Sequence, residues 1–291
     1  GRMPIDATVM ANVKAERVRR AADLASRKHR ERSGRFLIEG PQAVREALTW
    51  QPGVVRDLYV AVDGTEPDAG FANPTVASLA GLAMGEGIYV HKATADVVAH
   101  ISRDAQGVVA VGDLEACRAQ LTQSPSTPHP FIAAFWQVRD PGNAGTVIRS
   151  ADAAGCDAVV MVGSCVDVFN PKVIRATTGS LFHLPVLAMD EDGFFAFCAN
   201  HATTVMAADV YGTEGRPPES LPDVVREGAA LDGSIAVLFG NEARGLEPGL
   251  LDRADIITSI PIYGKAESLN LGTSAAAMLM TLAMSSRIER M

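Results

Sequence analysis

Cysteine is scarce in this chain, four in 291 residues. Cys117, Cys156, Cys165 and Cys198 form no C-x-x-C pair and have no spaced histidines beside them, which excludes a zinc site built on the usual ligand spacings. Buried, reduced thiols are expected instead. The six histidines are scattered, with no H-E-x-x-H or H-x-H among them, so no metal is expected. No run of about 18 apolar residues is long enough to span a membrane. Gly1 to Met10 also lack the charged-then-apolar pattern of a signal peptide. A cytoplasmic protein with no membrane partner follows. Gly1 to Ala11 carry no structural expectation, because Met3 and Met10 both read as starts. No G-x-G-x-x-G follows any strand-like run, which excludes a nicotinamide-dependent dehydrogenase.

What is present is a hydrophobic content of 47% against 21% charge, enough for a sizeable core and, at this length, two domains. The net charge of −8 looks wrong for a nucleic-acid binder until the charges are placed. Residues 1–35 hold ten Lys/Arg against four Asp/Glu, a net +6, so the remainder must carry −14 to reach −8. A basic arm on an acidic body suits contact with phosphate, although a solvated helix face accounts for the charge equally well. Its RNA-facing candidates are Arg17, Arg20, Arg27, Lys28 and Arg30.

Residues 12–32 read as an exposed helix ending near Gly34. A short strand follows at Arg35–Gly40, then a helix over Pro41–Trp50. Apolar runs at 54–62, 87–90 and 107–111 alternate with helix-like stretches such as 93–99. The segment Thr122–Pro130 has three prolines in nine residues and no periodicity, which marks a linker. Beyond it, strand-length apolar runs recur at 131–138, 158–162, 203–208, 235–239 and 256–262, separated by helical stretches at 145–154, 172–178, 190–201 and 268–290. Buried strands alternating with helices imply a parallel sheet covered on both faces. The expected division is an arm over 1–34, an RNA-binding domain over 35–121, a linker over 122–130 and a catalytic α/β domain over 131–291. A ligand belongs beyond the carboxyl ends of the strands.

Three strand exits have unusual composition. The first reads Arg139-Asp-Pro-Gly-Asn-Ala-Gly-Thr-Val-Ile-Arg149, with Asn143 or Thr146 able to cap the next helix and Arg149 able to face the same pocket as Asn143. The second, Gly240-Asn-Glu-Ala-Arg-Gly-Leu246, spaces its glycines like a phosphate loop but has Leu246 where that loop needs lysine. Nucleoside triphosphates are thereby excluded. Its glycines permit close backbone approach to a ligand, with Asn241, Glu242 and Arg244 at the mouth. The third, Ile260-Pro-Ile-Tyr-Gly-Lys-Ala-Glu-Ser-Leu-Asn-Leu-Gly272, leads into a small-residue helix with Ser268 and Asn270 standing at its start, where Ser268 reads as an ordinary cap.

In that order, Asn-x-Gly-x-x-x-Arg-Ser-Ala, Gly-Asn-Glu-x-x-Gly-Leu and Ile-Pro-x-x-Gly-x-x-x-Ser-Leu-Asn resemble the three motifs of the SpoU/TrmH family of SPOUT-class RNA ribose 2'-O-methyltransferases. The resemblance covers residues 131–290, and Arg35–Leu48 resembles the start of the small ribosomal-protein-like RNA-binding domain that many members carry. It implies an α/β fold in which a SPOUT methyltransferase domain, with a parallel sheet and a trefoil knot, follows that small α/β domain. Strand-connection rules alone argue against a knot.

The resemblance further implies a homodimer and S-adenosylmethionine as cofactor. It places Asn143, Arg149, Glu242, Ser268 and Asn270 in the catalytic site. Ala208, Gly240, Ile260 and Leu269 fall at the cofactor, and Arg175 on the RNA side. The expected substrate is 23S ribosomal RNA, with transfer RNA as the alternative. Some actinobacterial relatives methylate 23S RNA against antibiotics such as thiostrepton or avilamycin, and the Lys-poor, Ala/Arg-rich composition fits such a genome.

Chemically the scheme is coherent. A sulfonium methyl is already activated, so the enzyme must align a ribose oxygen with it and ease loss of the hydroxyl proton. Arginine is a poor base. Arg149 therefore acts either as a strongly perturbed base or as an electrostatic stabiliser of the developing alkoxide. A non-catalytic RNA-binding protein is the rival reading, and the co-occurrence of these five polar residues argues against it.

Overall fold

The structure is a computed structural model that describes residues 5–228, 231–241 and 243–287. The chain divides into two compact units, residues 1–120 with 167–183, and residues 121–166 with 184–291.

In the first unit, β1 (Ile5–Met10), α1 (Glu16–Asp23) and α2 (Arg27–Ser33) precede β2 (Arg35–Glu39) and α3 (Pro41–Trp50). Then come β3 (Val55–Val62), α4 (Pro74–Gly85), β4 (Tyr89–Thr94), α5 (Ala95–Ile101), β5 (Val108–Asp113) and α6 (Leu114–Leu121). The sheet runs β1-β4-β3-β5-β2, with β1, β4 and β3 parallel to one another and β5 antiparallel to both β3 and β2. The strand β1 falls within residues 1–11, for which the sequence carried no structural expectation. Its order comes from pairing with β4, which no local pattern announces, and Val9 is buried there.

The single basic helix expected over 12–32 is corrected, for it breaks at Leu24–Ser26 into α1 and α2. Leu24 is buried in the apolar cluster beneath α1. Gly34 ends α2 in the left-handed region at φ +68°, as its lack of a Cβ allows. Arg30 holds the break: its guanidinium donates to the carbonyls of Leu24 (3.1 Å) and Ala25 (2.9 Å) and to Asp167 Oδ2 at 2.9 Å. With its side chain only 3% exposed, Arg30 is a structural residue and not a free RNA ligand. Arg30→Ala removes one partner of a buried charge pair and leaves two carbonyls unbonded, so unfolding in urea should show a loss of about 3 kcal/mol with cofactor affinity unchanged. A loss under about 0.5 kcal/mol, the range of ordinary surface substitutions, would return Arg30 to the surface.

The second unit contains β6 (Phe131–Trp136), α7 (Pro141–Ala153) and β7 (Ala158–Val162). The segment 167–183, with α8 (Pro171–Thr177), belongs to the first unit. Then follow β8 (Val186–Met189), α9 (Glu191–Asn200), β9 (Thr204–Ala208), β10 (Glu219–Ser220), α10 (Leu221–Glu227), β11 (Ile235–Phe239), α11 (Pro248–Arg253), β12 (Ile256–Ser259) and α12 (Leu271–Ser286). The sheet runs β10-β12-β9-β11-β6-β7-β8, every pairing parallel. Strands β6, β7 and β11 are buried at every residue, which explains why they read as continuous apolar runs.

One face of this sheet packs under Phe194, Leu250 and Leu251. Elsewhere α12 lies against α7 closely enough that a Cβ at Gly272 would come 2.9 Å from Thr146 Cγ2. Only one of the two helices is capped by a residue the sequence offered. Asp140 caps α7, accepting from the Asn143 N–H, and Asn270 caps α12, accepting from the Thr273 N–H. Asn143 and Thr146 therefore sit inside the first two turns of α7, and Ser268 stays in the loop. The expected helix end at Arg290 lies outside the described residues. Among those described, no helix is long and apolar enough to cross a membrane.

Candidate functional site

The order β12-β9-β11-β6 sets four strand exits side by side at one edge of the sheet. Three of them enclose a cavity of about 430 Å³, within the range of small-molecule sites. Ala208 and Asp209 come from the exit of β9, Gly240 and Gly245 from that of β11, and Ile260, Ser268 and Leu269 from that of β12. The four residues expected at the cofactor (Ala208, Gly240, Ile260, Leu269) thus line one space, and Ser268 joins them.

Each wall has a local cause. After β11 the backbone doubles back, Gly245 N–H donating to the Asn241 carbonyl at 2.9 Å. The approach is so close that a Cβ on Gly240 would fall 2.4 Å from the Gly245 carbonyl carbon. Asn241 anchors the loop by donating from Nδ2 to the Gln137 carbonyl at 2.7 Å. After β9, Asp209 Oδ2 accepts from the N–H groups of Tyr211 and Gly212 at 3.1 and 2.8 Å, an Asx-type turn. Across the mouth, Tyr211 OH donates to Glu267 Oε1 at 2.5 Å, which raises the Tyr211 pKa above its ordinary value. In the wall, Thr258 is fully buried and its Oγ1 has no hydrogen-bond partner among the described residues.

A space with an apolar lining (Phe239, Ile260, Leu269, Met278), a glycine that brings backbone to its surface and an unsatisfied hydroxyl in its wall fits a ligand that is part flat and apolar, part polar. S-adenosylmethionine has that composition, and the residues present fit it.

Motif one lies beside this cavity and does not line it. On α7, Thr146 lies about one turn from Asn143 on one side and from Arg149 on the other, and Thr146 is the residue that meets Gly272 of α12. Arg149 is exposed and makes no hydrogen bond or ion pair among the described residues. Asn270, as the cap of α12, stands at the same crossing of helices. Glu242 lies outside the described residues. Sequence reasoning missed Asp209, Tyr211, Thr258 and Glu267. An aspartate followed three residues later by glycine at a strand exit was a usable turn signal for the first, whereas the buried hydroxyl of Thr258 had none.

The RNA-facing candidates belong to the first unit. Arg20 is exposed and bonded to Glu16, Arg27 reaches Asp167 only at 3.9 Å, and Lys28 is exposed. Arg17 sits 3.9 Å from Asp57 with 56% of its side chain exposed. Arg175 pairs with Glu39 at 3.2 Å and Asp104 at 3.0 Å. Burial pushes the Cys117 and Cys198 thiols up to about 12, so both stay protonated at neutral pH and unsuited to nucleophilic chemistry. Among the described residues no group of three or more His, Cys, Asp or Glu is placed to hold a metal ion.

A parallel sheet whose ligand cavity lies at its carboxyl edge, with helix-borne polar groups beside it, defines a ligand-dependent α/β enzyme. The sequence over 130–280 matches the SpoU rRNA Methylase family, and that over 15–110 the MRM3-like substrate binding domain. The chain is 30% identical to the 23S rRNA (guanosine(2553)-2'-O)-methyltransferase RlmP of Bacillus subtilis, over 92% of this chain and 96% of that protein. The AdoMet-bound rRNA methyltransferase from Sinorhizobium meliloti superposes with a TM-score of 0.74 at 27% identity, covering 97% of this chain and 98% of the other. The SpoU methyltransferase AviRb from Streptomyces viridochromogenes, in complex with AdoMet, does so with 0.75 at 25%, covering 94% and 100%. The chain belongs to the SpoU rRNA methylase family. It is an S-adenosylmethionine-dependent RNA 2'-O-ribose methyltransferase.

Proposed function

We propose that this enzyme methylates one ribose of 23S ribosomal RNA, with the cavity bounded by Ala208, Gly240, Ile260 and Leu269 as its cofactor site. The observation that carries the reading is the convergence of residues from three separate strand exits on one space. S-adenosylmethionine supplies an activated methyl group when bound. The chain's own residues do the rest: the Gly240–Gly245 loop and the exit of β12 hold and orient the donor, and Ser268 closes the wall. Asn143, Arg149 and Asn270, at the crossing of α7 and α12, take the ribose. Glu242 keeps a catalytic role in this scheme. Arg149 stabilises negative charge as it develops on the 2'-oxygen, because a guanidinium holds its proton, and solvent or a neighbouring phosphate accepts the proton released.

The substrate assignment is supported by the 23S-specific name of the Bacillus subtilis relative and by the substrate-binding region at 15–110. Arg17, Arg20, Arg27, Lys28 and Arg175 are its proposed RNA contacts. The proposed domains are an RNA-binding domain that takes in the arm of residues 1–34 and runs to 121, a linker over 122–130 and a methyltransferase domain over 131–291 whose segment 167–183 falls to the first unit. A homodimer is part of the reading, supported by the exposure of Tyr263 (90%), next in sequence to Ile262 of the cavity lining, and of Met284 (61%) on α12. So is a knotted C-terminal path, supported by the pairing of β12 with β9 and the return of α12 to α7. A cytoplasmic location is part of the same reading, supported by the likeness to the bacterial 23S rRNA methyltransferase RlmP.

The test is methyl transfer from labelled S-adenosylmethionine to protein-free 23S RNA and to transfer RNA, with modified nucleosides identified by mass spectrometry. A 2'-O-methylated ribose in 23S RNA alone is expected. Transfer confined to transfer RNA would overturn the substrate assignment.

A further inference from the structure

β3 and β4 present an aromatic cluster that the catalytic scheme does not use. In their parallel register Asp57 lies opposite Tyr89, and Tyr59 opposite His91. Alternate residues share a face, so these four side chains occupy one side of the sheet. His91 is only 4% exposed. Its Nε2 lies 2.8 Å from Asp57 Oδ1, which fixes the ring. On one side it stacks on Tyr59, centroids 4.7 Å apart and planes 19° apart; on the other it meets Tyr89 at 4.6 Å and 41°.

The helix α1 covers only part of this face. Its Val18 and Ala21 join Tyr59 in the apolar cluster, whereas Tyr89 keeps 41% exposure. Arg17, in the first turn of α1, lies beside the Tyr59 hydroxyl, which raises its pKa, and 3.9 Å from Asp57 Oδ1, with 56% of its side chain exposed. An exposed tyrosine alone is ordinary. Here the ring is backed by a histidine that cannot turn and is flanked by a tethered guanidinium, which is the composition of a single-stranded nucleic-acid contact.

We propose that Tyr89 is a stacking platform for an unpaired base of the RNA, and that Arg17 takes a neighbouring backbone phosphate. The inference rests on the RNA-substrate reading, and both residues lie within the matched substrate-binding region. An unpaired base fits better than a duplex, because a flat ring offers a stacking face and no groove-shaped surface. Positive charge on the partner is disfavoured by Arg17 itself.

Binding of protein-free 23S RNA by the full chain, measured across a salt series, tests the proposal. Tyr89→Ala should weaken binding roughly 5- to 100-fold, while Tyr89→Phe, which keeps the ring, stays within about twofold. Arg17→Gln should flatten the dependence of log K on log salt by roughly 0.7 to 1. S-adenosylhomocysteine affinity should not move in any of the three; the melting temperature should hold in Tyr89→Phe and fall by no more than roughly 4 °C in the other two. Tyr89→Ala binding as tightly as the unaltered chain would overturn the platform and leave the ring to another partner. An unaltered chain that binds no 23S RNA at all would instead sink the substrate reading, and this inference with it.

Discussion

Arg149→Ala should abolish methyl transfer, with kcat down by at least about 10²-fold, the range seen when one preorganised stabiliser of a developing oxyanion is lost. Cofactor affinity should change by no more than about threefold, because Arg149 stands on α7 beside the cavity and does not line it. Stability should stay within about 0.5 kcal/mol, since an exposed side chain without a partner among the described residues has little folded-state interaction to lose. That combination separates a catalytic role from a structural one. Arg149→Lys retains the charge and loses the planar fork, so partial recovery would favour electrostatic stabilisation over geometry alone. Single-turnover rates with saturating S-adenosylmethionine measure the step directly. Turnover within about threefold of normal in the alanine variant would remove Arg149 from the mechanism.

The second large effect belongs to Gly240. A methyl group there would overlap backbone, at 2.4 Å from the Gly245 carbonyl carbon and 2.7 Å from the Leu246 nitrogen. Backbone cannot swing aside as a side-chain tip can. Gly240→Ala should therefore force open the turn closed by Asn241 and Gly245, displace the wall it forms, and weaken S-adenosylmethionine binding about 100-fold by calorimetry. A loss of about 1–3 kcal/mol in stability should accompany it, the usual cost of overpacking. The control is Gly249→Ala. Gly249 lies in the first turn of α11 with nothing within 4 Å of an added Cβ, so alanine there should be neutral or slightly stabilising. Equal cofactor affinity in the Gly240 and Gly249 variants would show that the cavity is not where the cofactor binds.

The two variants probe different parts of one arrangement. Gly240 shapes the space that holds the donor, and Arg149 acts on the acceptor oxygen at the neighbouring helix crossing. Loss of binding with the first and loss of turnover with the second would assign the two jobs to the two places. The pair also bears on the binding-protein alternative, which needs neither effect on transfer.

Much of the second unit was legible because its signals are local. β6, β7 and β11 are uninterrupted apolar runs, and the glycine pair at 240 and 245 announces a tight loop. The register of motif one was less so. Asp140 caps α7 in place of Asn143 or Thr146, because Pro141 suits the first helical position, where no N–H is needed. The same holds at α12, where Ser268 and Asn270 are both acceptable caps and only Asn270 has its side chain within reach of the Thr273 N–H.

What the sequence determined by itself was the kind of elements present, the family and the identity of the reactive loops, since each is written in residues a few positions apart. Tertiary structure decided the rest. It set β12 against β9 so that Ala208 and Ile260 share a cavity, paired β1 with β4 although residues 1–11 gave no signal, and broke the basic arm so that Arg30 turned inward to Asp167. These outcomes depend on pairings and packing between residues tens to more than a hundred positions apart. Side-chain period and turn chemistry report only on nearest neighbours along the chain, and such distant contacts leave no trace in them.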